Sequence, residues 1–345
     1  MSIRLAPQFP APHGGVVGIG IDLSVSLNPL GPSPAALAAV RAAELGRYPD
    51  VDARSLREAA AERHEIPIDA VVPVPGASWG LWLCGLALLA PGDSCLALAP
   101  CYSEYRRCAE IARAEYREVA AGPPHWLPDD RALATALDRR PVVCFICNPA
   151  NPTGALFPTS RLHRLFETHP ETTFVVDEAF SDFAPGGASL LEAGLPPRNV
   201  VVVRSLTKAL GLPGLRMGYL VGSPELAGAL SGVLPPWPLS SPALAAAVAG
   251  LKDREHVESG AEVARRHLDL IAAALSGAGA EPFPSCANFL MARAPGMVAQ
   301  LRQHGVAVRD CTSLGLPDHI RVAAPRVDEL NVVLTAIRAV EVLLR

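Results

Sequence analysis

The chain has 345 residues, half of them hydrophobic and 19% charged, with a formal net charge of -4. This is a globular composition, long enough for one large domain and a smaller one, each with its own core. The charge balance does not favour nucleic acid or an acidic membrane surface, and it leaves small anionic ligands to local arginines. The eight cysteines are scattered, several of them in apolar runs (Cys84, Cys144, Cys147), and no spacing among them repeats a zinc pattern. They read as buried free thiols of a reducing compartment. The N-terminal sequence MSIRLAPQFPAPHGG lacks the apolar segment of a signal peptide, and the longest apolar stretch, LWLCGLALLA, is too short to span a bilayer. A cytoplasmic protein with neither a nucleic-acid nor a membrane partner is expected.

Residues 1–33 are rich in Pro and Gly and read as an arm with a short strand at most. Residues 34–65 read as helical segments interrupted at LGRYPD. From about residue 70, apolar runs alternate with helical stretches: DAVVPV, GLWLCGLALLA, SCLALAP, YRRCAEIARA, PVVCFIC, TFVVDEAF, NVVVVRSL and GYLVG. Continuous apolar runs of this length suit the buried strands of a mostly parallel sheet. The turn signals PGD, NPANPTG and APGG fall between them. Residues 243–276 read as long helices; FLMA, VAVRD and IRVAA then read as strands, and DELNVVLTAIRAVEVLL as a closing helix. The predicted organisation is an arm with part of the small domain at 1–45, a large domain at 46–245 and a small α+β domain at 246–345.

The segment VVVVRSLTKALGLPGLRMGYLVG places Ser205, Lys208 and Arg216 within twelve residues of a strand end. A lysine can form an imine with an aldehyde, and a hydroxyl with a guanidinium can hold a phosphate. An isolated S-x-x-K is ordinarily a solvated loop, and spacing alone does not displace that reading. Asp177 ends the apolar strand of TFVVDEAFSDF, where it can cap a helix or pair with a cofactor ring nitrogen. CNPANPTG is a turn held by Pro149 and Pro152 that can aim Asn151. Tyr102 follows the strand SCLAL and can pack or stack on a flat ring. Gly76, Ala77 and Ser78 open an apolar helix whose N-terminus favours an anion.

Together these segments resemble the fold-type I aminotransferases, in the branch that contains histidinol-phosphate aminotransferases and threonine-phosphate decarboxylases, over about residues 13–340. The resemblance implies an α/β fold whose large domain has a mixed, mostly parallel seven-stranded sheet between helices, plus a small α+β domain. It implies pyridoxal 5′-phosphate (PLP) held as a Schiff base on Lys208. Asp177 would pair with the ring nitrogen, Asn151 would reach O3′, and Tyr102 would stack on the ring. Gly76, Ala77, Ser78, Ser205 and Arg216 would hold the phosphate. Tyr48 in GRYPD matches a tyrosine that reaches the neighbouring subunit's phosphate, which implies a homodimer with shared sites. Arg321 in DHIRVAAP would bind a substrate α-carboxylate. Arg309 in VAVRDCTSLGL, His13 in PHGG and Asn28 in LSVSLNPLG would surround a substrate phosphate.

Two features tilt the expected reaction within that branch. Phe180 stands where many aminotransferases carry a Tyr that donates to O3′, and DEAFSDF and RDC look more like the decarboxylases. The favoured expectation is decarboxylation of L-threonine O-3-phosphate to (R)-1-amino-2-propanol O-2-phosphate, as in cobalamin side-chain synthesis. The alternative is an aminotransferase acting on histidinol phosphate or another amino acid. A third reading, of another class, is a PLP-binding regulator without turnover. The chain also departs from the family pattern. Pro75 and Trp79 replace the usual Asn and Glu, Ser26 stands at an Asn position, and Gly15 runs almost directly to Asp22. The arm is thus shortened where it should build the substrate pocket.

Overall fold

A computed structural model gives the structure of the chain and describes residues 13–15, 18, 20–186 and 188–340. The chain begins with β1 (Ile21–Leu23), α1 (Pro34–Arg41), α2 (Arg54–His64), β2 (Val71–Val74), α3 (Ala77–Leu88), β3 (Ser94–Ala99), α4 (Glu104–Ile111) and β4 (Glu115–Gly122). It continues through β5 (Leu127–Pro128), α5 (Asp130–Leu137), β6 (Val143–Cys147), α6 (Thr159–Thr168), β7 (Thr173–Asp177), β8 (Val200–Ser205), α7 (Leu206–Ala209), β9 (Gly218–Val221) and α8 (Pro224–Val233). The last part holds α9 (Ser241–Lys252), α10 (Arg254–Gly277), β10 (Glu281–Pro282), β11 (Phe289–Arg293), α11 (Met297–Gln303), β12 (Val306–Asp310), β13 (His319–Ala323) and α12 (Leu330–Arg338).

The large sheet runs β2-β9-β8-β7-β6-β3-β4-β5. Strands β4, β3, β6, β7 and β8 pair in parallel, and β9 lies antiparallel between β8 and β2. The sheet has eight strands rather than the expected seven, because the two-residue β5 folds back on the end of β4. The central runs are apolar on both faces because both faces are covered. Cys144, Ile146, Phe174, Val176, Val200 and Val202 enter one core, while Val143, Phe145, Val175, Val201 and Val203 enter another. This period of two is the signature of a sheet sandwiched between helices.

The second sheet runs β1-β12-β13-β11-β10. It packs its core with α10 and α12, and with Phe180 and Phe183 from the loop after β7. The arm therefore contributes a strand, β1, parallel to β12. Helix α9 buries Ala243, Ala247 and Leu251 in a core of the large sheet, and α1 packs against α9.

The eight cysteines are all free, and six of them are buried. Among the described residues, no helix is long and apolar enough to cross a membrane.

Candidate active site

A cavity of about 330 Å³ opens at the carboxyl ends of the parallel strands, where ligands of open α/β sheets bind. Its wall is built from consecutive strand ends. Asp177 closes β7, Cys147 closes β6 and Ser205 closes β8, so one layer of the sheet delivers three of its side chains. Thr207 and Lys208 follow on the short α7. Ala77 and Ser78 come from the start of α3, Tyr102 from the loop after β3, and Asn151 from the turn after β6. Arg309 and Arg321 enter from the small sheet, and His13, Ser24 and Ser26 from the arm.

The anion site is legible in the backbone. Gly76 caps α3 at φ 88°, a conformation that suits glycine, and the first amides of the helix face outward without intrahelical acceptors. Arg216 lies across this end. A Cβ on Gly76 would stand 2.9 Å from Arg216 Nη2. The Ser78 hydroxyl and Tyr102 hydroxyl are 3.2 Å apart, and those of Ser205 and Thr207 are 2.9 Å apart. Four hydroxyls, open amides and a guanidinium thus surround one end of the cavity. Thr207 had no role in the sequence reading, although it sits between Ser205 and Lys208 and was visible there.

The amine and the acid perturb one another. Burial in the cavity, then the charges of Arg321 and Arg216, lower Lys208 from the ordinary 10.5 to about 8, against the pull of Asp177. Burial raises Asp177, while a hydrogen bond from Tyr105, another from the Ala179 amide and the charge of Lys208 oppose that rise. Tyr105 donates to Asp177 Oδ2 at 2.8 Å, and Ala179 N–H donates to Oδ1 at 3.0 Å. The residues beside the cavity-facing ones turn away, Glu178 after Asp177 and Arg204 before Ser205. Glu178 and Arg204 form a buried ion pair at 3.1 Å behind the site, and Arg204 also holds Asp182 at 2.6 Å. This pair ties the end of β7 to the end of β8 on the face opposite the cavity.

The small sheet supplies the cations. Arg309 and Arg321 are directly paired in register across β12 and β13. Like charges so placed repel unless an anion lies between them. Arg321 donates to Asn151 Oδ1 and, at 2.7 Å, to the Ser24 carbonyl, and burial lowers it to about 10. Arg309 donates to Ser313 Oγ at 3.0 Å. His13 lies 3.2 Å from Glu104 and has its ring 5.8 Å from that of Tyr102. Among the described residues, Lys208, Arg216, Arg309 and Arg321 line the cavity against a single carboxylate, Asp177.

Asn28, Gly76 and Tyr48 do not line the cavity of this chain, and Tyr48 was expected at the neighbouring subunit's site, not at this one. Asn28 does not face the cavity: its side chain is buried, donates to the Ala209 carbonyl at 2.8 Å and accepts from the Leu30 amide at 3.0 Å. Its own amide donates to the Lys208 carbonyl at 3.1 Å, so it anchors the arm to the lysine helix and has no atom left for a substrate phosphate. Gly76 meets the cavity only through the helix end that it caps. Tyr48 lies outside the cavity at 81% exposure, its ring 4.7 Å from that of Trp237. Phe180 is buried and meets Phe289 edge to face at 4.9 Å. Its ring also lines the cavity, with Lys208 Nζ 5.9 Å from its centroid, so it presents an apolar edge to the site while packing the small core.

A lysine amine and a carboxylate set beside an anion-binding helix end define an enzyme that works on amines through an anionic cofactor. The chain belongs to the aminotransferase class I and II family, whose model matches residues 19–337. It is 37% identical over 311 residues to a histidinol-phosphate aminotransferase of Symbiobacterium thermophilum, covering 88% of this chain and 85% of that protein. It is 36% identical over 318 residues to a histidinol-phosphate aminotransferase of Halobacterium salinarum, covering 88% and 86%. In fold it is similar to the histidinol-phosphate aminotransferase of Sinorhizobium meliloti in complex with PLP, with a TM-score of 0.85 at 22% identity, over 93% of this chain and 90% of that one. These matches overturn the expected threonine-phosphate decarboxylase: the relatives are histidinol-phosphate aminotransferases.

Two outcomes follow from the geometry. Gly76→Ala pushes a methyl group onto Arg216 and is expected to raise the dissociation constant for PLP roughly tenfold, the loss of about one charged hydrogen bond, as read by fluorescence titration. Lys208 is a base shifted down, so its neutral form is populated from about pH 8 upward. The rate at which PLP condenses with the cofactor-free enzyme should therefore rise with pH with a midpoint near 8, not 10.5, in stopped-flow absorbance.

Proposed function

We propose that the chain is an aminotransferase acting on histidinol phosphate, exchanging its amino group with a 2-oxo acid such as 2-oxoglutarate. The chain uses PLP, and the residues present fit it. The α3 end, Ser78, Ser205, Thr207 and Arg216 would hold the phosphate, Asp177 would face the ring nitrogen, and Asn151 would face O3′. When bound, the cofactor supplies an aromatic ring that accepts the electrons of the substrate's Cα–H bond. Lys208, released by the incoming amine, would carry the proton from Cα to C4′; with a value near 8 it can both take and return a proton close to neutral pH. Asp177, as a carboxylate, favours the protonated ring nitrogen. Tyr102 would fix the ring plane.

The observation that carries the substrate class is the cation excess of the cavity, above all the paired Arg309 and Arg321. Histidinol phosphate has no α-carboxylate; a phosphate ester stands on the neighbouring carbon. The amino acid partner does have the carboxylate. One pocket must then take two different anions in turn, and two adjacent guanidiniums suit both. His13, at the rim between Glu104 and Tyr102, would contact the distal part of the substrate. The expected role for Asn28 is not carried forward. The six buried free thiols support a reducing, cytoplasmic setting.

We also propose a homodimer with shared sites. Tyr48 is exposed away from its own cavity, and Trp79, directly after the cavity residue Ser78, is 52% exposed. Exposed aromatics beside a site suit a partner surface.

Purified enzyme loaded with PLP, given histidinol phosphate and 2-oxoglutarate, should form glutamate and the matching ketone phosphate by mass spectrometry. Lys208→Ala should abolish turnover, and Arg321→Met should lower kcat/KM roughly 100-fold. Turnover of other amino acids without histidinol phosphate would remove the substrate while leaving the class. Light scattering should give twice the chain mass, and Tyr48→Phe should weaken PLP binding by less than tenfold; a fully active monomer would refute the shared site.

A further inference from the structure

Tyr105 is fully buried, and the proposed chemistry gives it no task. It lies in the first turn of α4, where its amide donates to the Tyr102 carbonyl at 3.2 Å. Its ring stacks on Phe145 at 5.0 Å with an interplanar angle of 5°, and meets Tyr102 edge-on at 6.0 Å. Phe145 and Cys147 on β6, with Val175 and Asp177 on β7, share the sheet face against which Tyr105 packs. Its hydroxyl ends 2.8 Å from Asp177 Oδ2.

We propose that Tyr105 is a positioning residue for the cofactor: it orients the Asp177 carboxylate and keeps it ionised beside the ring nitrogen, and the α4 turn locks that acid to Tyr102, the ring that stacks on the cofactor. Burial disfavours the charge on Asp177 more than any other influence. A hydroxyl donor favours the charged form. The other groups acting on Asp177 are the Ala179 amide and Lys208, and Cys147 lies nearby on β6. Lys208 joins the cofactor, and the Ala179 amide bonds the other oxygen. Among the described residues, Tyr105 is then the one side-chain donor that stays on Asp177 throughout turnover. Phenylalanine at 105 would keep the ring packing and lose the bond to Asp177 together with the hydroxyl's contact to the Cys147 thiol, so packing does not account for the hydroxyl. The inference rests on PLP being the cofactor.

The test compares Tyr105→Phe with Phe145→Leu, which removes the stacking partner and leaves the hydroxyl. Wild type must first bind PLP; failure there removes the cofactor reading itself, not the role of Tyr105. Tyr105→Phe should bind PLP roughly tenfold more weakly and lose roughly tenfold in kcat, with KM within about twofold. With the ring nitrogen less fully protonated, the pH midpoint of the bound cofactor's absorbance should rise by about half a unit or more. Phe145→Leu should lower the melting temperature and leave the midpoint unchanged. An unchanged midpoint and unchanged PLP affinity in Tyr105→Phe overturn the proposal. So does a midpoint that moves equally in both variants, since that would follow loosened packing and not the lost bond.

Discussion

The site depends on keeping a lysine amine and a carboxylate inside one poorly solvated cavity, the amine in the neutral form that burial favours and the acid in the ionised form that burial disfavours. Desolvation lowers Lys208 and raises Asp177, so each would tend to become neutral if left alone. The fold answers with fixed dipoles. Asp177 receives two hydrogen bonds from its surroundings, while two arginines press on Lys208. The amine becomes reactive near neutral pH while the acid keeps donors suited to its anion. Behind the cavity, the Arg204–Glu178–Asp182 cluster fixes the strand ends that carry both groups. The chemistry on one face of the sheet is thus braced by electrostatics on the other.

Much of this was legible in the sequence, for a physical reason. Strands buried on both faces are nearly pure apolar runs, and β2, β3, β6, β7, β8 and β9 announced themselves in that way. The residues at their ends were legible because strand ends are where the sheet presents side chains to a ligand. Strand β4 was not legible. Its sequence, EYREVAAG, carries Arg117 and Glu118 in a strand near the sheet edge, where one side meets solvent and the apolar signal fails. Tyr105 was quoted in a motif but given no task, because its partner Asp177 is 72 residues away. Asn28 illustrates the reverse error. A polar residue in a family motif was assigned to ligand, whereas the arm folds it inward as a clamp.

The reaction type was misread for a related reason. A single side chain, Phe180, was asked to report on chemistry, and an apolar ring that both packs on Phe289 and lines the cavity is specific to neither reaction. The relatives restore the aminotransferase assignment without changing any cofactor residue. Decarboxylation and transamination share the same machinery up to the point where one bond at Cα is chosen. The choice lies in how the substrate is tilted, and tilt is set by contacts across two sheets, which no single motif encodes.

The arm has a mechanical meaning beyond its residues. At Leu23 it is stitched into the small sheet beside Val308, next to Arg309. At Asn28 it is pinned to the carbonyls of Lys208 and Ala209. Only a short span separates the two attachments, no more than roughly 17 Å when drawn straight. It acts as a leash. The substrate-side sheet can swing away from the lysine only as far as that leash allows. The span that sets this limit lies after the stretch from Gly15 to Asp22, so the restraint on opening is carried by the five-residue step from Leu23 to Asn28 and not by what precedes it.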